Sequence, residues 1–235
     1  MEEAYKKAQV LIEALPYFQD FNEKIVIVKL GGNAMNESTL FDDTLQDIVF
    51  MEQVGIHPIL VHGGGPYISQ KLKDANINSQ FIDGLRVTDK AALDVVDDVF
   101  RKINQSICDT IVKKGGSATP LYGYEDKLLI AKKKILEGKP DVDLGFVGDL
   151  TNVNPKKIIE LVKKGIVPVV SPLAACEDNQ RYNVNADSAA AKLAESLKAE
   201  KLVFMSNIAG LLRDPSDPES LLSTLVPEQV QELIN

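Results

Sequence analysis

The sequence predicts an α/β fold, a three-layer αβα sandwich with a mainly parallel central sheet. Two apolar runs, Ile25–Leu30 and 58–61, each end in glycines and precede a stretch with helical spacing. Repeated succession of a strand, a glycine loop and a helix is typical of βαβ units, whose strands lie parallel. The chain has 235 residues, of which 45% are hydrophobic, so it can bury a substantial core.

Helices and strands alternate along the first half of the chain. Apolar residues three and four positions apart predict an N-terminal helix that Pro16 should break or kink. A short hairpin is expected around Gly84, and Thr88 is the expected N-cap of a long helix. Helices are predicted over residues 40–54, 67–75 and 89–114, and strands over residues 25–30, 58–61, 117–121 and 128–135.

The second half of the chain continues the alternation. Pro155 suits the first turn of a helix that Asn154 can cap, and Gly165 should end it. Residues 174–181 are polar and predict a turn. Strands are predicted over residues 147–152, 166–171 and 201–205, and helices over residues 155–164, 187–197 and 227–234.

Composition narrows the class of protein. The formal net charge is -8, whereas nucleic-acid binders usually carry a basic excess. Charged residues in the first 20 positions argue against a secretory signal, and no run of about 18 apolar residues predicts a membrane span. Cys108 and Cys176 do not form a disulfide framework. We therefore expect a cytoplasmic protein.

Two glycine loops are the strongest candidates for a binding site. One contains Gly31 and Gly32 after Lys29, and the other contains 63–65 after His62. Glycine lets the backbone approach an anion closely, and a following helix adds a partial positive charge. Loops at the carboxyl ends of adjacent parallel strands face one crevice. The alternative is a pair of tight turns without a ligand.

Several other site types are poorly supported. The sequence contains no P-loop pattern, and neither glycine loop has the dinucleotide-binding spacing. His62 and the three glycines after it resemble an esterase oxyanion loop, but the chain lacks a nucleophile elbow. No cysteine and histidine cluster has zinc spacing.

Six segments together resemble the amino acid kinase family, and within it the members that act on N-acetyl-L-glutamate. The resemblance covers nearly the whole chain. It implies an amino acid kinase fold and ATP-dependent phosphorylation of the side-chain carboxylate of N-acetyl-L-glutamate, a step in arginine biosynthesis. Mg²⁺ would arrive with ATP. The segments are residues 28–35, 61–66, 84–89, 143–149, 182–187 and 208–212.

The resemblance also implies roles for individual residues. Catalytic roles fall on Lys29, Gly32, Gly64 and Asp187, of which Lys29 would contact the transferring phosphoryl group and Asp187 would orient lysines. Arg86 would pair with the substrate α-carboxylate, since a guanidinium matches a carboxylate in two hydrogen bonds. Substrate contacts are implied for Gly64, Gly65, Arg86, Asn183 and Asn185. Nucleotide contacts are implied for Lys29, Gly31, Gly32, Asn207, Ile208, Ala209, Gly210, Leu211 and Leu212, although the family usually has an aspartate at position 207.

Taken alone, two of these residues allow simpler interpretations. Arg86 could be an ordinary surface arginine, and Asp187 could be an acid that complements a helix dipole. The motifs around them favour the functional interpretation.

The N-terminal helix resembles the extension of arginine-inhibited family members. The resemblance implies a homodimer, a hexamer formed as a trimer of dimers, and inhibition by L-arginine. The alternative is an ordinary packing helix. The predicted division is an oligomerisation helix over residues 1–20, an acetylglutamate-binding lobe over 21–170 and a nucleotide-binding lobe over 171–235.

The resemblance implies a second phosphate-binding lysine after the last predicted helix, and no residue of this sequence takes that role. We favour a fragment as the explanation. The alternatives are a shortened protein that binds ligands without turnover, or replacement by Lys192 or Lys201. A different acceptor (glutamate, aspartate, carbamate or a nucleotide) and a regulatory binding subunit are the competing functions.

Overall fold

The computed structural model describes residues 1–31, 38–206, 208, 210–214 and 216–234. The chain forms two compact units, Met1–Met205 and Ser206–Asn235. The predicted lobe boundary at residue 170 stays a prediction.

Helices and strands alternate through most of the first unit. Its helices are α1 Glu2–Phe21, α2 Ser38–Gln53, α3 Gly65–Asp74, α4 Lys90–Lys113, α5 Lys156–Val162 and α6 Ala186–Leu197, and the second unit contains α7 Pro227–Ile234. The strands are β1 Ile25–Leu30, β2 His57–His62, β3 Phe81–Ile82, β4 Leu85–Arg86, β5 Ala118–Tyr122, β6 Leu129–Lys133, β7 Gly148–Val153, β8 Val167–Ser171, β9 Leu173–Ala175, β10 Arg181–Asn183 and β11 Lys201–Met205.

A five-stranded sheet in the order β11-β1-β2-β8-β5 forms the centre of the first unit. Each of its neighbouring pairs is parallel. A second sheet, β10-β9-β6-β7, contains parallel and antiparallel pairs, and β3 and β4 form a hairpin. The predicted α/β fold with a mainly parallel central sheet is confirmed.

Alternate residues of β1 face opposite layers of helices, as a strand period of two requires. Ile27 belongs to a buried cluster that includes residues of α5 and α6. Val26 and Val28 belong to a second buried cluster with residues of α2 and α4. The central sheet is therefore covered on both faces.

Four local predictions differ from the structure, two of them only in part. Pro16 does not break α1, because the proline lies inside the helix, which continues to Phe21. Asp89, whose carboxylate accepts from Ala92 N, caps α4, while the Thr88 hydroxyl donates to Arg86 O. Asn154 does not cap α5, because Pro155 occupies that position.

The fourth difference concerns residues 174–181. The predicted turn is present, but it joins the antiparallel strands β9 and β10, so the segment belongs to a short hairpin.

α1 contributes no buried residue within the chain, and Val10, Leu11 and Ile12 are exposed. None of the described helices combines the length and apolar character that a membrane span needs.

Candidate functional site

A cavity of about 260 Å³ collects residues from distant parts of the first unit. β1 and β2 lie side by side, and Leu30 pairs with His62 at their carboxyl ends. The loop after β2 reaches the cavity, as do the hairpin residue Arg86 and the start of α6. The cavity thus lies where ligands bind in parallel α/β sheets.

The glycine loop 63–65 forms one wall of the cavity. Gly63 N donates to Leu30 O at 2.9 Å, which fixes the loop to the end of β1. Gly64 is the N-cap of the ten-residue helix α3, and Pro66 occupies its first turn. The unpaired N–H groups and the dipole of a helix N-terminus favour an anion.

The charge lining this cavity is mixed but mainly positive. Among its described lining residues, Lys29, Arg86 and Asp187 carry charge. Lys29 Nζ lies 2.8 Å from Asp187 Oδ1, and the lysine side chain is 14% exposed. The structure therefore brings together two residues that are 158 positions apart in sequence, and it leaves a net positive charge in the cavity.

Arg86 is buried at 7% exposure. Its guanidinium donates to Ser79 Oγ, to Gly65 O at 3.1 Å and to Ser69 Oγ at 2.8 Å. It also lies over the Phe81 ring at 4.5 Å. No carboxylate of the described residues pairs with it, and burial lowers its pKa from the ordinary value. A buried cation held by neutral groups is suited to an incoming carboxylate.

Asn183 and Asn185 both line the cavity. Asn183 Nδ2 donates to Thr88 Oγ1 at 3.2 Å. Asn185 caps α6, because its Oδ1 accepts from Asp187 N and Ser188 N. The amide nitrogen of Asn185 is therefore the group that a ligand could use.

The loop around Gly145 connects the backbone near Thr88 with the backbone at Asn183. Thr88 N donates to Leu144 O, Phe146 N donates to Thr88 O, and Asn183 N donates to Phe146 O. Gly145 has a φ of +70°, and a Cβ there would lie 2.3 Å from Thr88 O. This position therefore requires glycine.

Sequence reasoning assigned no function to His62, which the structure places directly beneath the glycine loop. His62 is fully buried, with Nδ1 2.9 Å from Gly63 O and Nε2 3.0 Å from Asn104 Oδ1. Burial lowers the pKa of His62 to about 4. Its position before three glycines was visible in the sequence, but the partner Asn104 lies 42 residues away.

This burial predicts a pH dependence of folding stability. The unfolded chain binds a proton at His62 below its ordinary pKa of 6.5, whereas the folded chain does so only near 4. Stability therefore falls as pH drops from 6.5 to 4, by about 3 kcal/mol from this residue. Urea unfolding at pH 7 and at pH 4 measures this loss of stability. Between these pH values, His62→Asn should lose about 3 kcal/mol less stability than the wild type. His57→Gln is the control and should lose as much stability as the wild type. Equal losses of stability in the wild type, His62→Asn and His57→Gln would contradict the prediction.

Among the described residues of the first unit, Gly31 is the predicted site residue that does not line this cavity. Gly31 is buried, and its N–H donates to Met205 O at 2.9 Å. Gly32, Asn207 and Ala209 lie outside the described residues. In the second unit, Ile208 and Leu211 are exposed, Leu212 bridges to Leu221, and Gly210 lies between them in sequence. Their nucleotide roles stay predictions.

Lys192 and Lys201 are the candidate substitutes for the second phosphate-binding lysine. Lys192 pairs with Glu195 at 2.8 Å on α6. Lys201 is the first residue of β11, whereas Met205 is the last. Lys201 Nζ lies 4.8 Å from the centre of the Phe21 ring. Neither residue is among those that line the cavity.

Comparison with known proteins identifies the class. Residues 24–235 match the amino acid kinase family, which is most of the chain. The chain belongs to the amino acid kinase family.

Curated relatives narrow the likeness further. The acetylglutamate kinase of Carboxydothermus hydrogenoformans is 44% identical over 241 positions, which cover 100% of this chain and 82% of the relative. The acetylglutamate kinase of Petrotoga mobilis is 43% identical, over 97% of this chain and 76% of the relative.

A solved structure shares the fold. N-acetylglutamate synthase from Neisseria gonorrhoeae superimposes with a TM-score of 0.81 at 22% identity, over 95% of this chain and 50% of that one. The likeness supports the fold alone at that identity.

Proposed function

We propose that this chain transfers the γ-phosphoryl group of ATP to the side-chain carboxylate of N-acetyl-L-glutamate, giving N-acetyl-L-glutamyl 5-phosphate in arginine biosynthesis. The single observation that carries the proposal is the cavity lined by both Arg86 and the Lys29–Asp187 pair. Arg86 pairs with no carboxylate of the described residues, and it suits the α-carboxylate of the substrate. The other cation, Lys29, is partly neutralised by Asp187 and suits a phosphoryl group.

The reaction needs little acid–base chemistry. The γ-carboxylate is ionised at neutral pH, so its oxygen can attack the γ-phosphorus without a general base. A new phosphorus–oxygen bond forms, the bond to the β-phosphate oxygen breaks, and ADP leaves. Catalysis then consists of positioning and of stabilising charge on the phosphoryl oxygens.

The parts of the site divide this work. Lys29 would stabilise the phosphoryl oxygens while Asp187 holds its ammonium group in place. The N–H groups of Gly64 and Gly65 would face the reacting oxygens, and Gly32 would act from the first loop. Asn183 and the amide nitrogen of Asn185 would contact the substrate. The substrate nucleotide is ATP–Mg²⁺, whose metal is held by phosphates and water.

The assembly is part of the proposal. The exposed apolar residues Val10, Leu11 and Ile12 support α1 as an oligomerisation helix. A homodimer, a hexamer as a trimer of dimers, and inhibition by L-arginine remain proposals, as does the predicted cytoplasmic location.

A hydroxylamine assay for acyl phosphate tests the function. The chain is incubated with ATP–Mg²⁺ and, separately, with N-acetyl-L-glutamate, L-glutamate, L-aspartate or carbamate. We expect hydroxamate from N-acetyl-L-glutamate. Product from another acceptor, or arginine binding without any product, would replace the proposal with one of the competing functions.

Arg86→Lys sharpens the same assay. The lysine keeps the charge but loses the planar fork, so the substrate carboxylate loses a charge-assisted hydrogen bond. We expect KM for N-acetyl-L-glutamate to rise about 10- to 100-fold, since such a bond is worth about 1.5–3 kcal/mol. KM for ATP should stay the same. The matched control is Arg101→Lys on α4, outside the cavity, and equal effects from the two variants would reject the role of Arg86.

A further inference from the structure

The His62 ring lies within hydrogen-bond distance of one carbonyl of the glycine loop. His62 is the last residue of β2, and the loop begins at the next position. Its Nδ1 lies 2.9 Å from Gly63 O. Within the described residues, this carbonyl has no other hydrogen-bond partner, so a proton on Nδ1 of His62 would satisfy it.

The contact fixes the direction of one peptide group. The bond between Gly63 and Gly64 is trans, as are all described peptide bonds. The C=O and N–H of a trans peptide point in opposite directions. Because Gly63 O points towards the buried ring, Gly64 N–H points away from it.

Gly64 N–H is available for a ligand. No acceptor in the described part of the chain bonds to it, and Gly64 lines the cavity. Rotation of this peptide by half a turn would aim a carbonyl oxygen at an incoming anion, which repels it. The orientation of one peptide therefore decides whether the loop donates to the ligand or opposes it.

The other ring nitrogen also faces an oxygen. Asn104 Oδ1 lies 3.0 Å from Nε2, and Asn104 Nδ2 donates to Leu121 O at 3.1 Å. Gly63 O and Asn104 Oδ1 both accept hydrogen bonds, so a neutral imidazole can donate to only one of them. The Phe100 ring meets the imidazole edge-on, with 5.6 Å between centroids. Such packing from α4 and β5 restricts the imidazole to one rotamer, as a positioning group requires.

We infer that His62 is a positioning residue, whose Nδ1–H holds the Gly63 carbonyl so that the Gly64 N–H is aimed at the transferring phosphoryl group. The inference rests on the proposed kinase function. It deepens that function by naming the side chain that sets the direction of a loop donor. Donors that are already oriented need no reorganisation when charge develops.

A pair of substitutions distinguishes the roles of the two ring nitrogens of His62. The amide nitrogen of asparagine takes the place of Nδ1, whereas that of glutamine takes the place of Nε2. We expect His62→Gln to lower kcat about 10- to 100-fold, which is part of what loss of one such donor costs. KM for N-acetyl-L-glutamate should change less than about threefold. His62→Asn should recover most of the lost kcat.

His57→Gln is the matched control, because His57 begins the same strand and does not line the cavity. It should keep the wild-type kcat. Equal losses in His62→Asn and His62→Gln, both with folded protein by circular dichroism, would overturn the inference, since loss of packing would then explain them.

An NMR spectrum of the wild-type chain tests which ring nitrogen of His62 carries the proton, without an activity assay. The chain has two histidines, so ¹⁵N-labelled imidazole signals can be assigned with His57→Gln. We expect the His62 ring to carry its proton on Nδ1 at pH 7. A ring protonated only at Nε2 would overturn the inference by itself, whereas absence of turnover by the wild type would overturn the proposed function.

Discussion

Replacement of Lys29 by alanine should lower kcat about 10³-fold and change KM for N-acetyl-L-glutamate little. A fixed cation that meets charge developing on the phosphoryl oxygens stabilises the transition state more than the bound substrate. Lys29 is 14% exposed and is held at 2.8 Å by Asp187. It therefore has the fixed position that this role needs. Steady-state hydroxamate formation measures both constants.

Lys24→Ala is the control for this experiment. Lys24 precedes the same strand and pairs with Glu200 at 3.7 Å, but its side chain is half exposed. Such an exposed pair contributes at most about 1 kcal/mol to stability, so kcat should be that of the wild type. An unchanged kcat in Lys29→Ala would remove Lys29 from the reaction.

The second large effect is expected from Gly64→Ala. A Cβ at this position would lie 2.9 Å from Phe100 Cε1 and 3.1 Å from Ile103 Cδ1. Phe100 is buried and belongs to the core cluster between α3 and α4, so either the loop or the Phe100 ring must shift. We expect a stability loss of about 1–3 kcal/mol from overpacking and a fall in kcat of about 10²-fold, because small displacements misalign reacting groups.

Gly65→Ala provides the steric control, since a Cβ there meets nothing within 4 Å. Its melting temperature should match that of the wild type. In the double variant Gly64→Ala, Phe100→Leu, the smaller side chain should restore part of the stability. If Gly64→Ala were as stable as Gly65→Ala, the close packing of the loop against α4 would be disproved.

The sequence allowed the parallel sheet and the positions of its strands to be predicted, because β-branched runs followed by glycines carry that information locally. It did not allow the course of α1 through Pro16 to be predicted. A proline inside a helix usually interrupts it, and here local spacing gave no sign that the helix continues.

The candidate site was predictable in part. The residues around Lys29, Arg86 and Asp187 were found through their flanking motifs, and the structure places all three around one cavity. Their polar partners could not be foreseen. Ser69 and Ser79, which hold Arg86, have no distinctive sequence context, and the contact of His62 with Asn104 depends on how α4 crosses the sheet.

The hydrogen bonds that join Thr88, Phe146 and Asn183 have a consequence for redesign of acceptor choice. They tie segments 95 positions apart into one continuous backbone frame, which carries Arg86 at one end and Asn183 at the other. The two cavity-lining side chains are therefore attached to the same hydrogen-bonded backbone, and a shift of that backbone should move both. Transplanting the Arg86 hairpin alone from a kinase with another acceptor would break this frame, so a successful graft must exchange the hairpin, the Gly145 loop and β10 as a unit.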